Sequence, residues 1–140
     1  MPAKSYRDLD VWRRAMDLVE EIYRLTQQFP KEELYGLTSQ IRRAAVSVPA
    51  NIAEGYGRTH RKAYLNHLSI ARGSLMEVET HVQIAVRLQF LHRDQALRAW
   101  SLLQDTGKML NRMISALSPK LEPSSKAKPE PETRDPEPED

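Results

Sequence analysis

The chain has 140 residues, no cysteine, and 21 Lys+Arg against 19 Asp+Glu, a formal net charge of +2. That length supports one domain, and the lack of cysteine excludes a disulfide scaffold and a cysteine-ligated zinc site. The charge is unevenly placed: residues 119–140 hold 4 Lys/Arg and 7 Asp/Glu, which leaves 17 against 12, a net of +5, over residues 1–118. A body this basic makes an anionic partner worth considering.

The longest notable uncharged stretch, Ala44 to Ala53, is ten residues and contains Pro49. A membrane-spanning helix needs about 20 apolar residues, so no membrane association is expected. The first eight residues lack the apolar run of a secretory signal, and a cytoplasmic location is the expectation.

Four helices are read from periodicity. In the first segment Val11, Ala15, Leu18, Ile22, Leu25 and Phe29 step by four and three, and Phe29-Pro30 is expected to end it, because the residue before proline disfavours helical angles. The second carries Leu37, Ile41, Ala44, Val48 and Ile52 and stops at Gly55 and Gly57. The third carries Tyr64, Leu68, Ala71, Leu75, Val78, Val82 and Ala85. The fourth is expected to start after Asp94 as N-cap and to run through Ala96, Trp100, Leu103, Gly107, Leu110, Ile114 and Leu117. No segment alternates with the period of a strand. An all-α, antiparallel up-down-up-down four-helix bundle over residues 1–118 is the predicted fold. Residues 119–140 contain six of the nine prolines and one large aliphatic residue, Leu121, so they are predicted to be a disordered acidic tail.

The first helix carries surplus apolar surface. At about 100° per residue, Leu9, Trp12, Met16, Val19 and Tyr23 form a second stripe beside the first, and together they span about 200° against the roughly 100° that a core-facing helix needs. On the third helix Ile70 and Ile84 align with Gly73, away from the core stripe. The surplus predicts a homo-oligomer with Trp12, Met16, Val19, Tyr23, Ile70, Gly73 and Ile84 at its interface. The alternative is that Trp12 and Tyr23 pack against loops or the chain start.

Two polar groupings stand out. Gln40, Arg43, Ser47, Asn51 and Glu54 fall within about an 80° arc of the second helix, next to its apolar stripe, and form a polar seam. Pro49 removes one backbone hydrogen bond and crowds the carbonyl of Ala45, so a kink or break is expected there. An Arg43-to-Glu54 network that holds the bent helix together fits this seam better than a catalytic site. The second grouping is Arg58, Thr59, His60, Arg61 and Lys62 at the turn into the third helix, with Thr59 as the expected cap. Arg61 and Lys62 sit unfavourably at the positive end of a helix dipole, a cost that a bound phosphate would reverse. With Arg42 and Arg43, this turn is the candidate contact to a nucleic-acid backbone.

His60, His67 and His81 share a multiple-of-seven spacing, and seven residues rise about 10 Å, too far for two rings to hold one metal. No metal site and no cofactor are expected. There is no glycine-rich phosphate loop, no Gly-x-Ser-x-Gly turn and no histidine–glutamate metal motif, so a catalytic role is the least favoured class.

Long ordered motifs carry a resemblance. The opening Tyr6 to Trp12, the segment Phe29 to Ala44, the run Ser47 to Gly55, and Ile70 to Glu77 closely resemble the four-helix-bundle family encoded in intervening sequences of bacterial 23S ribosomal RNA genes. The resemblance covers residues 6 to about 117. It implies a bundle that assembles as a homopentamer. Members of that family are also similar to the accessory proteins of diversity-generating retroelements, whose basic barrel-shaped pentamers bind nucleic acid and a reverse transcriptase. By that analogy Arg42, Arg43, Arg58, Arg61 and Lys62 contribute to a basic surface, and His60 on the same turn is a further candidate contact.

The first expectation is therefore a non-enzymatic oligomer that binds nucleic acid, with RNA favoured over DNA and a reverse transcriptase as a candidate partner. Its rival is a homo-oligomeric scaffold that docks a protein without touching nucleic acid.

Overall fold

The computed structural model describes residues 4–118, whose regular structure is entirely helical. Four α-helices follow in order: α1 Asp10–Thr26, α2 Leu37–Tyr56, α3 Arg61–Arg87 and α4 Leu97–Leu117. Short 3-10 turns at Tyr6–Asp8, Lys31–Glu33 and Arg93–Ala96 precede α1, α2 and α4. No strand occurs among the described residues. The segment expected to be a disordered tail, 119–140, lies outside them.

The apolar spacing of the first three helices is the spacing that is buried. Val11, Ala15, Leu18, Ile22 and Leu25 of α1 face Ile41, Ala44, Val48 and Ile52 of α2 and Leu68, Ala71, Leu75, Val78, Val82 and Ala85 of α3 in one core. Each fully buried leucine or isoleucine contributes about 1.5–3 kcal/mol. In α4 the buried residues are Ala99, Leu102, Leu103, Thr106 and Leu110, while Trp100 and Ile114 are only half-buried. The stripe therefore lies partly beside the one read from spacing. Thr106 can occupy it because its hydroxyl donates to the Leu102 carbonyl at 2.7 Å, which leaves a β-branched apolar surface for the core.

α1 packs against α2 and α4, and α3 packs against the same two helices, with the most extensive contact between α2 and α3. Specific pairs fix how the helices face one another. Ser47 meets Ser74 and Asn51 meets His67 between α2 and α3. Arg14 meets Asp105 and Glu21 meets Arg98 between α1 and α4. Arg72 meets Asn111 between α3 and α4.

Several helix ends differ from expectation. α1 stops at Thr26, whose hydroxyl turns back to the Ile22 carbonyl at 2.8 Å, and Phe29 then packs on Phe90 with ring centroids 5.7 Å apart. The N-cap of α3 is His60 rather than Thr59. Asp94 lies inside the 3-10 turn before α4; the residue preceding that turn is His92, whose backbone N–H donates to Gln95 Oε1 at 2.8 Å. Pro49 neither ends nor interrupts α2, because it is itself buried and flanked by Val48 and Ile52 in the core. Core packing there outweighs the loss of one helical hydrogen bond.

Gly55 has no room for a side chain, since a Cβ there would lie 2.8 Å from His67 Cβ and 3.0 Å from Tyr64 Cδ1. At the end of α3, Gln89 takes the left-handed conformation with φ 65°, a place where glycine is favoured. Gly55→Ala should lower stability by about 1–3 kcal/mol and Gln89→Gly should raise it by about 1 kcal/mol, both read from urea unfolding midpoints. An unchanged midpoint for Gly55→Ala would contradict the close approach of α2 and α3.

Candidate functional site

The polar seam is built from both sides of the α2–α3 contact. Ser47 Oγ lies 2.8 Å from Ser74 Oγ. One turn further along α2, Asn51 Nδ2 donates to the Ser47 carbonyl at 2.9 Å and to its hydroxyl at 3.0 Å. Asn51 Oδ1 accepts from His67 Nδ1 at 3.1 Å. His67 Nε2 lies 3.4 Å from Glu54 Oε2, which also receives Arg58 at 3.1 Å. With Nδ1 already donating, a second donation from Nε2 to Glu54 requires the doubly protonated ring. Hydrogen bonds thus join Ser74, Ser47, Asn51 and His67, and the Glu54–Arg58 pair stands beside them at the turn that joins the two helices.

Ser47, Asn51 and Glu54 are thus part of one network, whereas Gln40 and Arg43 are exposed and make no side-chain hydrogen bond or ion pair among the described residues. The expected Arg43-to-Glu54 link does not form. The two residues share a helix face, but eleven positions separate them by about 16 Å along the axis. The partners that complete the network, Ser74 and His67, come from α3. Asn51 also bonds the Ser47 carbonyl rather than that of Ala45, which Pro49 leaves free.

The basic turn follows directly. Gly57 closes α2, and the Arg58 N–H donates to the Gly55 carbonyl at 3.0 Å. Arg58, His60, Arg61 and Lys62 are all exposed. Arg58 is paired with Glu54, while Arg61 and Lys62 have no carboxylate within 4.0 Å among the described residues, and the first turn of α3 contains no acidic residue. Beside the turn, the Tyr56 and Tyr64 rings meet edge to face at 6.2 Å. Burial raises the pKa of the Tyr64 hydroxyl above its ordinary value, with a further push from Tyr56.

Arg42 and Arg43 do not join this turn. Sixteen residues of helix place Arg42 about 24 Å from Arg58. Arg42 Nε instead donates to Thr26 Oγ1 at 2.8 Å, and its guanidinium lies 4.5 Å from the centre of the Tyr23 ring. Spacing alone also gave no signal for Glu21, a carboxylate only 5% exposed that holds Arg24 and faces Arg98. The Glu21 hydrogen bond and charge raise the Arg24 pKa above its ordinary value.

Of the residues expected at an oligomer interface, Met16, Tyr23, Ile70 and Ile84 are 37–44% exposed. Trp12 and Val19 are half-buried against the core, and Trp12 meets the Tyr6 ring edge-on at 5.2 Å. Trp12 therefore packs on the chain start. Gly73 is open, with nothing within 4 Å of a Cβ built there. Val46, 43% exposed, adds an apolar residue one turn along α2 from the Arg42 that covers Tyr23.

A groove of about 390 Å³ between α3 and α4 was not apparent from spacing, because its wall is assembled from both helices: Val82, Val86, Leu97 and Trp100, with Arg87 and Arg93 at its edge. His81 continues the heptad row of His67 and Ser74; its ring is 8% exposed and Nδ1 has no hydrogen-bond partner among the described residues. No group of three or more His, Asp or Glu side chains suited to a metal ion occurs among the described residues.

Asn51→Leu should cost about 1–3 kcal/mol, because it strands His67 Nδ1 in a partly buried seam and leaves the Ser47 hydroxyl with Ser74 as its one side-chain partner. The pair Ser47→Ala with Ser74→Ala removes both members of one bond and should cost less than Asn51→Leu. Urea unfolding distinguishes them, and equal losses would contradict Asn51 as the centre of the network.

The sequence profile of the 23S rRNA-intervening sequence proteins matches residues 7–112, which takes in all of α1, α2 and α3 and most of α4. No curated protein matches the chain. A solved crystal structure from Bacteroides thetaiotaomicron, a protein of unknown function from the S23 ribosomal protein family, is similar with a TM-score of 0.69 at 23% identity, over 74% of this chain and 97% of that one. At that identity the likeness speaks for the fold. The profile match covers well over half of the sequence, and the chain belongs to the 23S rRNA-intervening sequence protein family.

Proposed function

We propose that the protein is a non-enzymatic, homo-oligomeric, cytoplasmic nucleic-acid-binding protein, and that the turn Arg58, His60, Arg61 and Lys62 is its contact to the phosphate backbone. The observation that carries this reading is the exposure of Arg61 and Lys62 without a carboxylate partner among the described residues, directly beside Arg58 and His60. Unpaired cations that share one turn repel one another, and a polyanion relieves that repulsion while releasing its own counterions. Structured RNA, free or in a reverse-transcriptase assembly like those served by the retroelement accessory proteins, is the proposed ligand class. Recognition is electrostatic, since Tyr56 and Tyr64 are both at least partly buried and engaged with each other. Ser47, Asn51, Ser74 and His67 beside the turn have a structural role, because their side chains bond one another across the α2–α3 contact.

The up-down-up-down arrangement belongs to the same reading. It is supported by the contacts between neighbouring helices, in which a later residue on one helix meets an earlier residue on the next: Ser47 with Ser74 and Asn51 with His67, Arg14 with Asp105 and Glu21 with Arg98. Assembly as a pentamer follows from the family resemblance, and it would multiply the basic turns presented to one ligand.

The rival reading, a scaffold that docks a protein partner, is favoured by one observation: Met16, Tyr23, Val46, Ile70 and Ile84 are exposed apolar side chains. The assembly itself can use the same residues, so they do not require a second partner.

Binding to a structured RNA should weaken as salt rises, and Arg61→Ala with Lys62→Ala should flatten the log-affinity against log-salt slope by about 1–2 per chain. Arg42→Ala should leave the slope unchanged. Binding that ignores both salt and the double substitution would overturn the assignment. Light scattering tests assembly: Gly73→Ala should stabilise an isolated chain by about 0.5–1 kcal/mol, since a Cβ there is unopposed, but should weaken an oligomer that packs at Gly73.

A further inference from the structure

We propose that His67 is a proton-operated control on the basic turn: a proton taken up at its Nε2 draws the Glu54 carboxylate away from Arg58 and frees that cation for an anionic ligand. The proposal rests on the reading of the turn as an anion-binding surface and adds how the charge of that surface is set.

The seam decides which ring nitrogen titrates. The Ser47 carbonyl can only accept a hydrogen bond, so the Asn51 atom 2.9 Å from it is the amide nitrogen, Nδ2. The same nitrogen reaches the Ser47 hydroxyl at 3.0 Å. Asn51 Oδ1 is thereby turned toward α3, where it lies 3.1 Å from His67 Nδ1. An amide oxygen only accepts, so Nδ1 carries the hydrogen and the neutral ring is the Nδ1–H tautomer. Its other nitrogen, Nε2, holds a lone pair and is the position that gains a proton in the pH range where imidazoles change charge.

The surroundings of Nε2 make that proton consequential. Glu54 Oε2 lies 3.4 Å from it and 3.1 Å from Arg58 Nη2, so one carboxylate oxygen stands between two nitrogens. With the ring neutral, Nε2 and the carboxylate are two acceptors with no hydrogen between them, and the carboxylate bonds Arg58. With the ring protonated, Nε2–H donates to Glu54 in a charge-assisted bond, from a ring that Asn51 already holds in place. The two cations differ in setting, since the His67 side chain is 14% exposed and that of Arg58 is 50% exposed. The less exposed pair is less screened by solvent and salt, and Arg58 loses little on leaving Glu54 for a phosphate. Over Glu54, Arg58 and His67 the charge rises from zero to +1, on the turn that also carries Arg61 and Lys62. By reciprocity, an anion that engages Arg58 releases Glu54 to His67 and favours proton uptake by the ring.

Few other ionisable groups face this ring. From α2 and the turn they are Glu54 and Arg58. On α3 Tyr64 precedes it by one turn, packed on Tyr56, and burial pushes the Tyr64 phenol further above neutral pH. No carboxylate of α1 or α4 lies within 4.0 Å of the ring among the described residues. His60, exposed on the same turn, is a second imidazole whose protonation would add charge there, so the test is made with His60→Gln in place.

The full chain carrying His60→Gln is titrated with a fluorescent 20-nucleotide polyuridylate at low salt, at pH 7.5 and at pH 5.5, between which the phosphodiesters keep their charge. Affinity should be about two- to five-fold higher at pH 5.5, the gain from releasing one exposed ion pair. The log-affinity against log-salt slope should steepen by up to about 0.7, one further phosphate contact. Adding His67→Gln, whose amide can still donate to Asn51, should remove the pH response. Adding Glu54→Gln instead should raise the affinity at pH 7.5 by a similar factor. Equal affinity at the two pH values, or a response undiminished by His67→Gln, would overturn the control.

A second arm reads the exchange of partners without nucleic acid. Long-range proton–nitrogen NMR correlations of the His67 ring at pH 8 should show hydrogen on Nδ1 and none on Nε2. On acidification the Glu54 carboxyl carbon should shift in step with that ring. Hydrogen on Nε2 at pH 8, or a Glu54 signal indifferent to the ring, would overturn the proposal. If both signatures are found while polyuridylate binds at neither pH, the exchange of partners stands and the nucleic-acid reading of the turn is the part that fails.

Discussion

Helices α2 and α3 approach so closely that Gly55 has no space for a Cβ against His67 and Tyr64. Much else follows from that approach. It lets Ser47 reach Ser74 and Asn51 reach His67, and those hydrogen bonds fix the register of the two helices. A one-turn slip would leave several polar atoms in the interface without partners, which is more costly than the bonds are favourable. Register in turn fixes the connection, so Arg58, His60, Arg61 and Lys62 are presented on a turn held by Gly57 and by the Arg58–Glu54 pair. The exposed charge thus sits on a short turn set between two packed helices.

Much of the fold was legible in the sequence because helix burial repeats with a period that side-chain polarity records. The stripes of α1, α2 and α3 are buried as spaced, from Val11 to Leu25, Ile41 to Ile52 and Leu68 to Ala85. In α4 the record misleads: Thr106 reads as polar but is fully buried once its hydroxyl bonds the Leu102 carbonyl, and the large Trp100 stays half-exposed beside a groove. Helix ends were less legible, because a cap depends on local geometry that residue type only biases. Thr59 and Asp94 are good capping residues in the wrong places, and Pro49, a helix breaker in isolation, sits inside α2 because the core holds it.

The candidate site was legible in part for a related reason. An angular projection of one helix identifies residues on a common face but discards height and the neighbouring helix. It grouped Arg43 with Glu54 despite about 16 Å of separation, and it could not place Ser74 or His67 beside Ser47 and Asn51. The same loss of height merged Arg42 with the Arg58–Lys62 turn, although Arg42 is engaged with Thr26 and Tyr23 about 24 Å away. With Arg42 and Arg43 removed, the proposed contact shrinks to one short sequence at one end of the molecule. The modest net charge of +2 for the whole chain understates this surface, since the acidic residues concentrate after residue 118 and the free cations of the turn do not.

The central claim is that nucleic acid meets the protein at the α2–α3 turn. Ultraviolet crosslinking in cells, with the attached nucleotide mapped by mass spectrometry, addresses it most directly. The account predicts RNA adducts concentrated in the peptides that contain Tyr56 to Tyr64. Adducts at Trp100 and the α3–α4 groove instead, or no nucleic acid recovered above background, would contradict it.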